Sequence, residues 1–282
     1  CGGVAAVTPA GRAEAKVSAI CPAFASRRRF PRPGCAFTSL VAGPRGPTFS
    51  RSTQVSTAGK IAMKRALIFG ASGGIGAAFC DALDQQGYAV TGLSRSGDGL
   101  DLRDPEAVDA AMAGLSGPFD LVVIATGILA PPGASPEKSL RSIDQATMQD
   151  LLLVNAVGPA LILSRLPALL PRAGRGVVAV LTARVGSIGD NHLGGWYSYR
   201  ASKAAANQIT RTAAIELQRK FKECAVVALH PGTVDTAFTA GYPNKDKHDP
   251  ATAAHNLLRV IDGLGPEDNG GFFDWRGEAV PW

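Results

Sequence analysis

The chain has 282 residues, 46% apolar and 18% charged, enough to bury a full core and too apolar for a disordered polymer. A formal charge of +6 invites a nucleic-acid or anionic-membrane partner, but the excess is local. Residues 1–62 carry nine Lys/Arg against the single acid Glu14, which leaves residues 63–282 with 20 basic and 22 acidic side chains, so no nucleic acid is expected on the body.

Residues 1–62 form a leader rich in Ala, Ser, Thr, Gly and Pro, with Arg27, Arg28 and Arg29 at its centre and no sustained apolar period. Few acids with many arginines and hydroxyls is the profile of an organelle transit peptide. The expected address is a plastid rather than a mitochondrion, and the cytoplasm if translation starts at Met63; a reporter fused to residues 1–62 reads which. The leader is expected to be disordered and dispensable for folding. Three of the five cysteines lie in it, leaving Cys80 and Cys224 as two expected free thiols. The four histidines show no metal-ligand spacing, so no metal is expected. No membrane span is expected either: the longest apolar run, LLLVNAVGPALIL, is interrupted by Asn155 and Pro159.

The body, residues 63–282, opens with the apolar run Arg65–Phe69 and then GASGGIG, Gly70–Gly76. Glycines there allow a tight turn and let backbone approach a pyrophosphate at the N-terminus of a helix starting near Ile75. Gly70, Ser72, Gly74, Ile75 and Gly76 are the candidate contacts. The helix runs to about Gln86, and AVTGL (89–93) is the next strand. Its end selects the cofactor. A carboxylate there would hold the ribose hydroxyls of NAD; the chain has Ser94-Arg95-Ser96, and Arg95 can pair with a 2′-phosphate, so NADP(H) is expected over NAD(H), with Asp98 close by.

A short strand is expected near Leu100–Leu102, placing Asp101 and Leu102 beside the adenine. A helix from Pro105 to about Leu115 and the strand FDLVVIA (119–125) follow, with Ala125, Thr126 and Gly127 at its end. A long helix is expected over Ile143–Leu170, then the strand GVVAVL (176–181), a helix near Tyr197–Phe221, the strand AVVALH (225–230), a helix near Ala251–Ile261, and GFFDW (271–275). Strands apolar throughout and alternating with helices mean one α/β unit: a single doubly wound, Rossmann-type parallel sheet with helices on both faces. Ligands in such folds sit beyond the carboxyl ends of the strands.

YRASK places Tyr199 and Lys203 at i and i+4, on one helix face, whereas Tyr197 is six residues from Lys203 and points elsewhere. A free phenol titrates near pH 10, and a nearby ammonium lowers that value. Lys203 can also hold ribose hydroxyls.

GASGGIG, VNAVGP, YRASK and HPGTVDT stand in the order and spacing of the short-chain dehydrogenase/reductase family, which residues 64–282 resemble. GSIGDN, GGWYSYRASKAA and FFDWRGEAVPW resemble more narrowly its C-factor and sniffer-like carbonyl reductase branch. The resemblance implies an NADP-dependent reductase acting on a small-molecule ketone or aldehyde. It implies that Asn155 holds a structural water for the proton relay, and that Pro231, Gly232, Val234 and Thr236 form the loop on the nicotinamide carboxamide. It also implies a homodimer or homotetramer paired through the helices holding Leu151–Leu170 and Ala204–Leu217. The chain departs from the family where two serines should end the strand before the Tyr/Lys helix: Thr182 and Ala183 stand there. Either Ala183 is a vacancy, the favoured reading, or Ser187, twelve residues before Tyr199, has taken over. The vacancy keeps a second function open, a dinucleotide-binding signalling or redox-sensing protein with little turnover.

Overall fold

The computed structural model describes residues 63–241 and 246–282; the leader and its address lie outside them, as do residues 242–245 of the loop after the fifth strand. In chain order the regular elements are β1 (Arg65–Phe69), α1 (Gly74–Gln85), β2 (Ala89–Leu93), the single turn α2 (Arg95–Asp98), α3 (Pro105–Met112), β3 (Leu121–Ile124), α4 (Gln145–Leu152), α5 (Gly158–Arg165), β4 (Gly176–Leu181), α6 (Tyr197–Leu217), β5 (Cys224–His230), α7 (Pro250–Gly263) and β6 (Phe272–Asp274). The strands form one all-parallel sheet in the order β2-β1-β3-β4-β5-β6.

Every residue of β3 and β4 is buried, because both faces of the sheet are covered. Alternate residues feed two cores. Leu67, Phe69, Val122, Ile124, Val178 and Val180 pack with α3, α5 and the end of α6. Ala66, Ile68, Val123, Ala179 and Val227 pack against Phe79 and Leu83 of α1 and Leu257, Leu258 and Ile261 of α7. Three helices start at Asp caps. Asp104 accepts from Glu106 N, Asp144 from Thr147 N and Asp249 from Thr252 N, with Pro105 and Pro250 each opening its helix. Cys80 and Cys224 are free thiols.

Two expected elements differ. Leu100–Leu102 forms no strand. Only six residues separate Leu93 from Leu100, and a parallel crossover needs about a dozen. Leu100 and Leu102 bury their side chains in the core from a loop instead. The long helix starts at Gln145, after its Asp144 cap, and is not α-helical throughout: Leu153–Val157 forms a π-helical segment between α4 and α5. That wider turn precedes Pro159, which lacks an N–H for a regular helix.

The helical stretch Gln145–Ala168 is therefore continuous for 24 residues, and by length and composition it could cross a membrane. This revises the expectation drawn from its interruptions. Half of its most apolar window is buried inside the protein, where Val154, Ile162, Leu163 and Leu166 join the core. Leu153 and Val157 of this stretch and Ile215 of α6 remain exposed.

Chain order reverses between β1 and β3: β2 lies to one side of β1 and β3 to the other. A crevice opens at such a switch point beyond the carboxyl ends of the strands, between the loops at Gly70 and Ala125.

Candidate active site

The Gly70–Gly76 turn is closed by sterics. Leu93 O accepts from Gly70 N at 2.8 Å and from Ala71 N at 3.0 Å. Gly70 has φ +86°, and a Cβ on Gly76 would lie 2.1 Å from Gly70 O. Gly92 lets the turn lie on β2, since a Cβ there would meet Ala71 Cβ at 2.7 Å. Gly73, Gly74 and Ile75, where α1 begins, line a cleft of about 350 Å³ together with Ala125, Thr126 and Gly127. Pro231, Gly232, Val234 and Thr236 line its other side. Ser72 is exposed outside the lining, and Gly70 and Gly76 act by shaping the turn.

At the end of β2, Ser94 is buried, and its N and Oγ donate to Asp98 Oδ2 at 2.8 and 3.3 Å. The Asp98 carboxylate is thus folded onto its own turn. Arg95 is exposed beside it. Asp101 is half-buried and accepts from Arg103 N at 3.0 Å. Leu102 points into the core against Gly158, so only its main chain is left for a ligand.

Tyr199 and Lys203 emerge from the first two turns of α6, and both line the cleft. Lys203 Nζ donates to Leu181 O at 3.2 Å and lies 5.9 Å from the Tyr199 ring centre. Asn155 sits in the π-helical segment with its amide fully engaged. Its Oδ1 accepts from Ile128 N at 2.8 Å, and its Nδ2 donates to Ile128 O at 2.8 Å and to Ser202 Oγ at 3.0 Å. A Cβ on Gly127 would lie 3.0 Å from Asn155 Oδ1 and 3.2 Å from Lys203 Nζ, so the two side chains converge over that glycine.

The structure brings Ala183, not Ser187, to the tyrosine. Ala183 lines the cleft and packs with Tyr199, Leu129 and Leu151. Ser187 is 2% exposed, lies outside the lining, and accepts from Asp190 N at 3.0 Å. Thr182 continues the ladder through its N–H to Leu229 O, with its hydroxyl buried beside the cleft. Two lining residues had no signal in the sequence. Trp196 and Phe238, from separate loops, flank the Tyr199 ring edge-on at 6.0 and 6.1 Å.

Burial governs the electrostatics. Desolvation pushes the Tyr199 phenol above its ordinary range and holds Lys203 down to about 8. The expected lowering of the phenol by the ammonium is outweighed, because both groups are removed from water. The half-buried His230 is held down to about 4, chiefly by desolvation, and is neutral at pH 7. The lysine shift has a sign for stability. Between about pH 8 and 10.5 the unfolded chain holds a proton that the folded Lys203 has released, so stability rises with pH through that window. Urea unfolding at pH 8 and 10 should show this gain in the parent and its loss in Lys203→Met; equal slopes in both would refute it.

Thr126 Oγ1, Thr182 Oγ1 and His230 Nδ1 are buried without partners, and all three residues line the one cleft. Among the described residues, the only other such atoms belong to the Asn207 amide. Orphaned polar atoms around a glycine cradle at a helix start fit a dinucleotide with a nicotinamide end near Tyr199.

The family model for short chain dehydrogenases matches residues 64–247. The C-signal of Myxococcus xanthus is 37% identical over 170 residues, 59% of this chain and 95% of that protein. The 1-hydroxy-2-glutathionyl-2-methyl-3-butene dehydrogenase of Rhodococcus sp. (strain AD45) is 34% identical over 186 residues, 65% of this chain and 79% of that one. A short-chain dehydrogenase/reductase from Burkholderia multivorans, solved with bound NADP, aligns at TM-score 0.65 and 26% identity over 78% of this chain and 100% of its own. The carbonyl reductase Sniffer of D. melanogaster shares the fold at TM-score 0.64 and 23% identity, with the same coverage. A family match over that much of the sequence, on a sheet of this order, makes the chain a member of the short chain dehydrogenase family.

Proposed function

We propose that the chain is an NADP(H)-dependent carbonyl reductase, converting a ketone or aldehyde to an alcohol. The observation that carries this reading is the meeting of Tyr199 and Lys203 in one cleft with the glycine turn. NADPH, when bound along the glycine turn, would supply the hydride for the carbonyl carbon. Tyr199 donates its phenolic proton to the oxygen as that oxygen gains charge, and burial keeps the phenol protonated until then. Lys203, anchored on Leu181 O, would hold the cofactor's ribose and return a proton to Tyr199. Asn155 binds the loop after β3 to α6 through Ile128 and Ser202, which keeps the relay side of the cleft in place. An assay of NADPH oxidation against a panel of carbonyl compounds tests the reading; no turnover on any of them would overturn it.

Arg95 supports NADPH over NADH, since it is exposed at the end of β2 while Asp98 is occupied by Ser94. The NADP bound to the Burkholderia relative agrees with this. Arg95→Ala should weaken NADPH about tenfold or more, the value of a lost charge-assisted bond, and leave NADH unchanged. Calorimetry with both cofactors decides, and equal losses would sink the preference.

Ala183 favours a second reading, a dinucleotide-binding signalling or redox-sensing protein, and one relative is named a C-signal. NADPH binding without turnover would support it. The exposed Leu153, Val157 and Ile215 support pairing as a homodimer or homotetramer. Sedimentation that shows only monomer at micromolar concentration would refute the pairing.

A further inference from the structure

Glu137 is a buried carboxylate, 6% exposed, that the reaction above does not use. It forms no ion pair among the described residues, and burying an unpaired carboxylate is costly unless hydrogen bonds compensate. Its bonds all go to one place. Oε2 accepts from Ser198 N at 3.2 Å, Oε1 accepts from Ser198 Oγ, and the main-chain oxygen accepts from Trp196 N at 2.6 Å.

That place is the start of α6. The chain enters this helix through three consecutive left-handed residues, Gly194 (φ 64°), Gly195 (φ 66°) and Trp196 (φ 55°), and no side chain of its own caps it. The first N–H groups of a helix have no partner within it, and a carboxylate there also suits the helix dipole. Glu137 supplies the missing cap from a loop 61 residues away in sequence. Arg200 grips the same turn by donating to Gly195 O, Gly194 O and Val185 O at 2.9, 3.1 and 3.2 Å. The residue after Ser198 is Tyr199, whose ring rests edge-on against Trp196. The loop that carries Glu137 also carries Leu129, which lines the cleft and packs on Tyr199 and Ala183.

We propose that Glu137 is a positioning residue: it caps α6 from the loop that walls the substrate cleft and so sets the place of Tyr199. The effect on turnover rests on the reductase reading; the clamp itself does not. A misplacement of about 1 Å can cost about 10²-fold in rate.

The test compares Glu137→Ala and Glu137→Gln in the full chain. In Glu137→Gln the side-chain oxygen can accept from Ser198 N while the amide donates to the Ser198 hydroxyl. Glu137→Ala should lower turnover by roughly 10- to 10²-fold with NADPH affinity unchanged. Amide hydrogen exchange should quicken across residues 194–203 and not along the rest of α6. Glu137→Gln should restore both. Parental turnover and exchange in Glu137→Ala would overturn the proposal. So would a loss of turnover matched by weaker NADPH binding and faster exchange throughout, which is general instability, and so would a Glu137→Gln protein as impaired as Glu137→Ala. If Glu137→Ala does not fold, Ser198→Ala removes only the hydroxyl bond; it should show a smaller fall in turnover with exchange raised in the same segment, and parental values would overturn the clamp. If the parent reduces no carbonyl, the reductase reading falls, and exchange alone decides: confined quickening restored by Glu137→Gln supports the clamp, and unchanged exchange refutes it.

Discussion

Tyr199→Phe is expected to lower turnover about 10²- to 10⁴-fold, the usual worth of a positioned general acid, while NADPH binding persists. The substitution removes one oxygen and keeps the ring that Trp196 and Phe238 flank and that Ala183, Leu129 and Leu151 pack against. The cleft should therefore keep its shape, and the loss should fall on turnover rather than on substrate KM. Turnover and NADPH affinity measured on the same preparation decide. Full turnover in Tyr199→Phe would remove the tyrosine from the chemistry.

Ala183→Ser is expected to raise turnover. A carbonyl oxygen that turns into an alkoxide needs donors aimed at it, and on the proposed reading Tyr199 would face it without a hydroxyl from position 183. Removing one donor from an oxyanion site costs on the order of 10²–10³ in rate, so restoring one in good geometry should recover part of that. The position is right because the Ala183 methyl lines the cleft and already touches the Tyr199 cluster. NADPH affinity should not move. Ser187→Ala should change turnover little, since the Ser187 hydroxyl is turned to Asp190 N and is 2% exposed. The opposite pair of results, a dead Ser187→Ala and an unimproved Ala183→Ser, would return the role to Ser187. No turnover in the parent or in either variant, with NADPH still bound, would favour the sensing protein.

The difference between Ala183 and Ser187 shows where reading the sequence stops. Counting residues back from Tyr199 left both open, because spacing along a loop does not say which side chain turns inward. The 3₁₀ turn Arg184–Gly186 settles it. Gly186 presses on α6 so closely that a Cβ would lie 2.8 Å from Lys203 atoms. Past it Ser187 stays out of the cleft lining, its hydroxyl on Asp190 N, and Asp190 pairs with Arg184 at 2.6 Å.

By itself the sequence determined what depends on neighbours a few residues apart. The six strands are short apolar runs, three of the helices start at their own Asp residues, the glycine turn follows from missing Cβ atoms, and Tyr199 and Lys203 share a face because a helix repeats every 3.6 residues. Strand and helix alternation carried the fold class with them. The tertiary structure decided what depends on positions far apart. Leu100–Leu102 read as a strand but had no length of chain to reach the sheet edge. The π-helical turn at Asn155 faces Ile128 and Ser202, which sequence separates by 27 and 47 residues. Trp196 and Phe238 meet only across Tyr199. Glu137 carried no signal in the sequence; folding laid it on Ser198, and its cap exists only there, because a buried carboxylate takes its meaning from the donors packed around it.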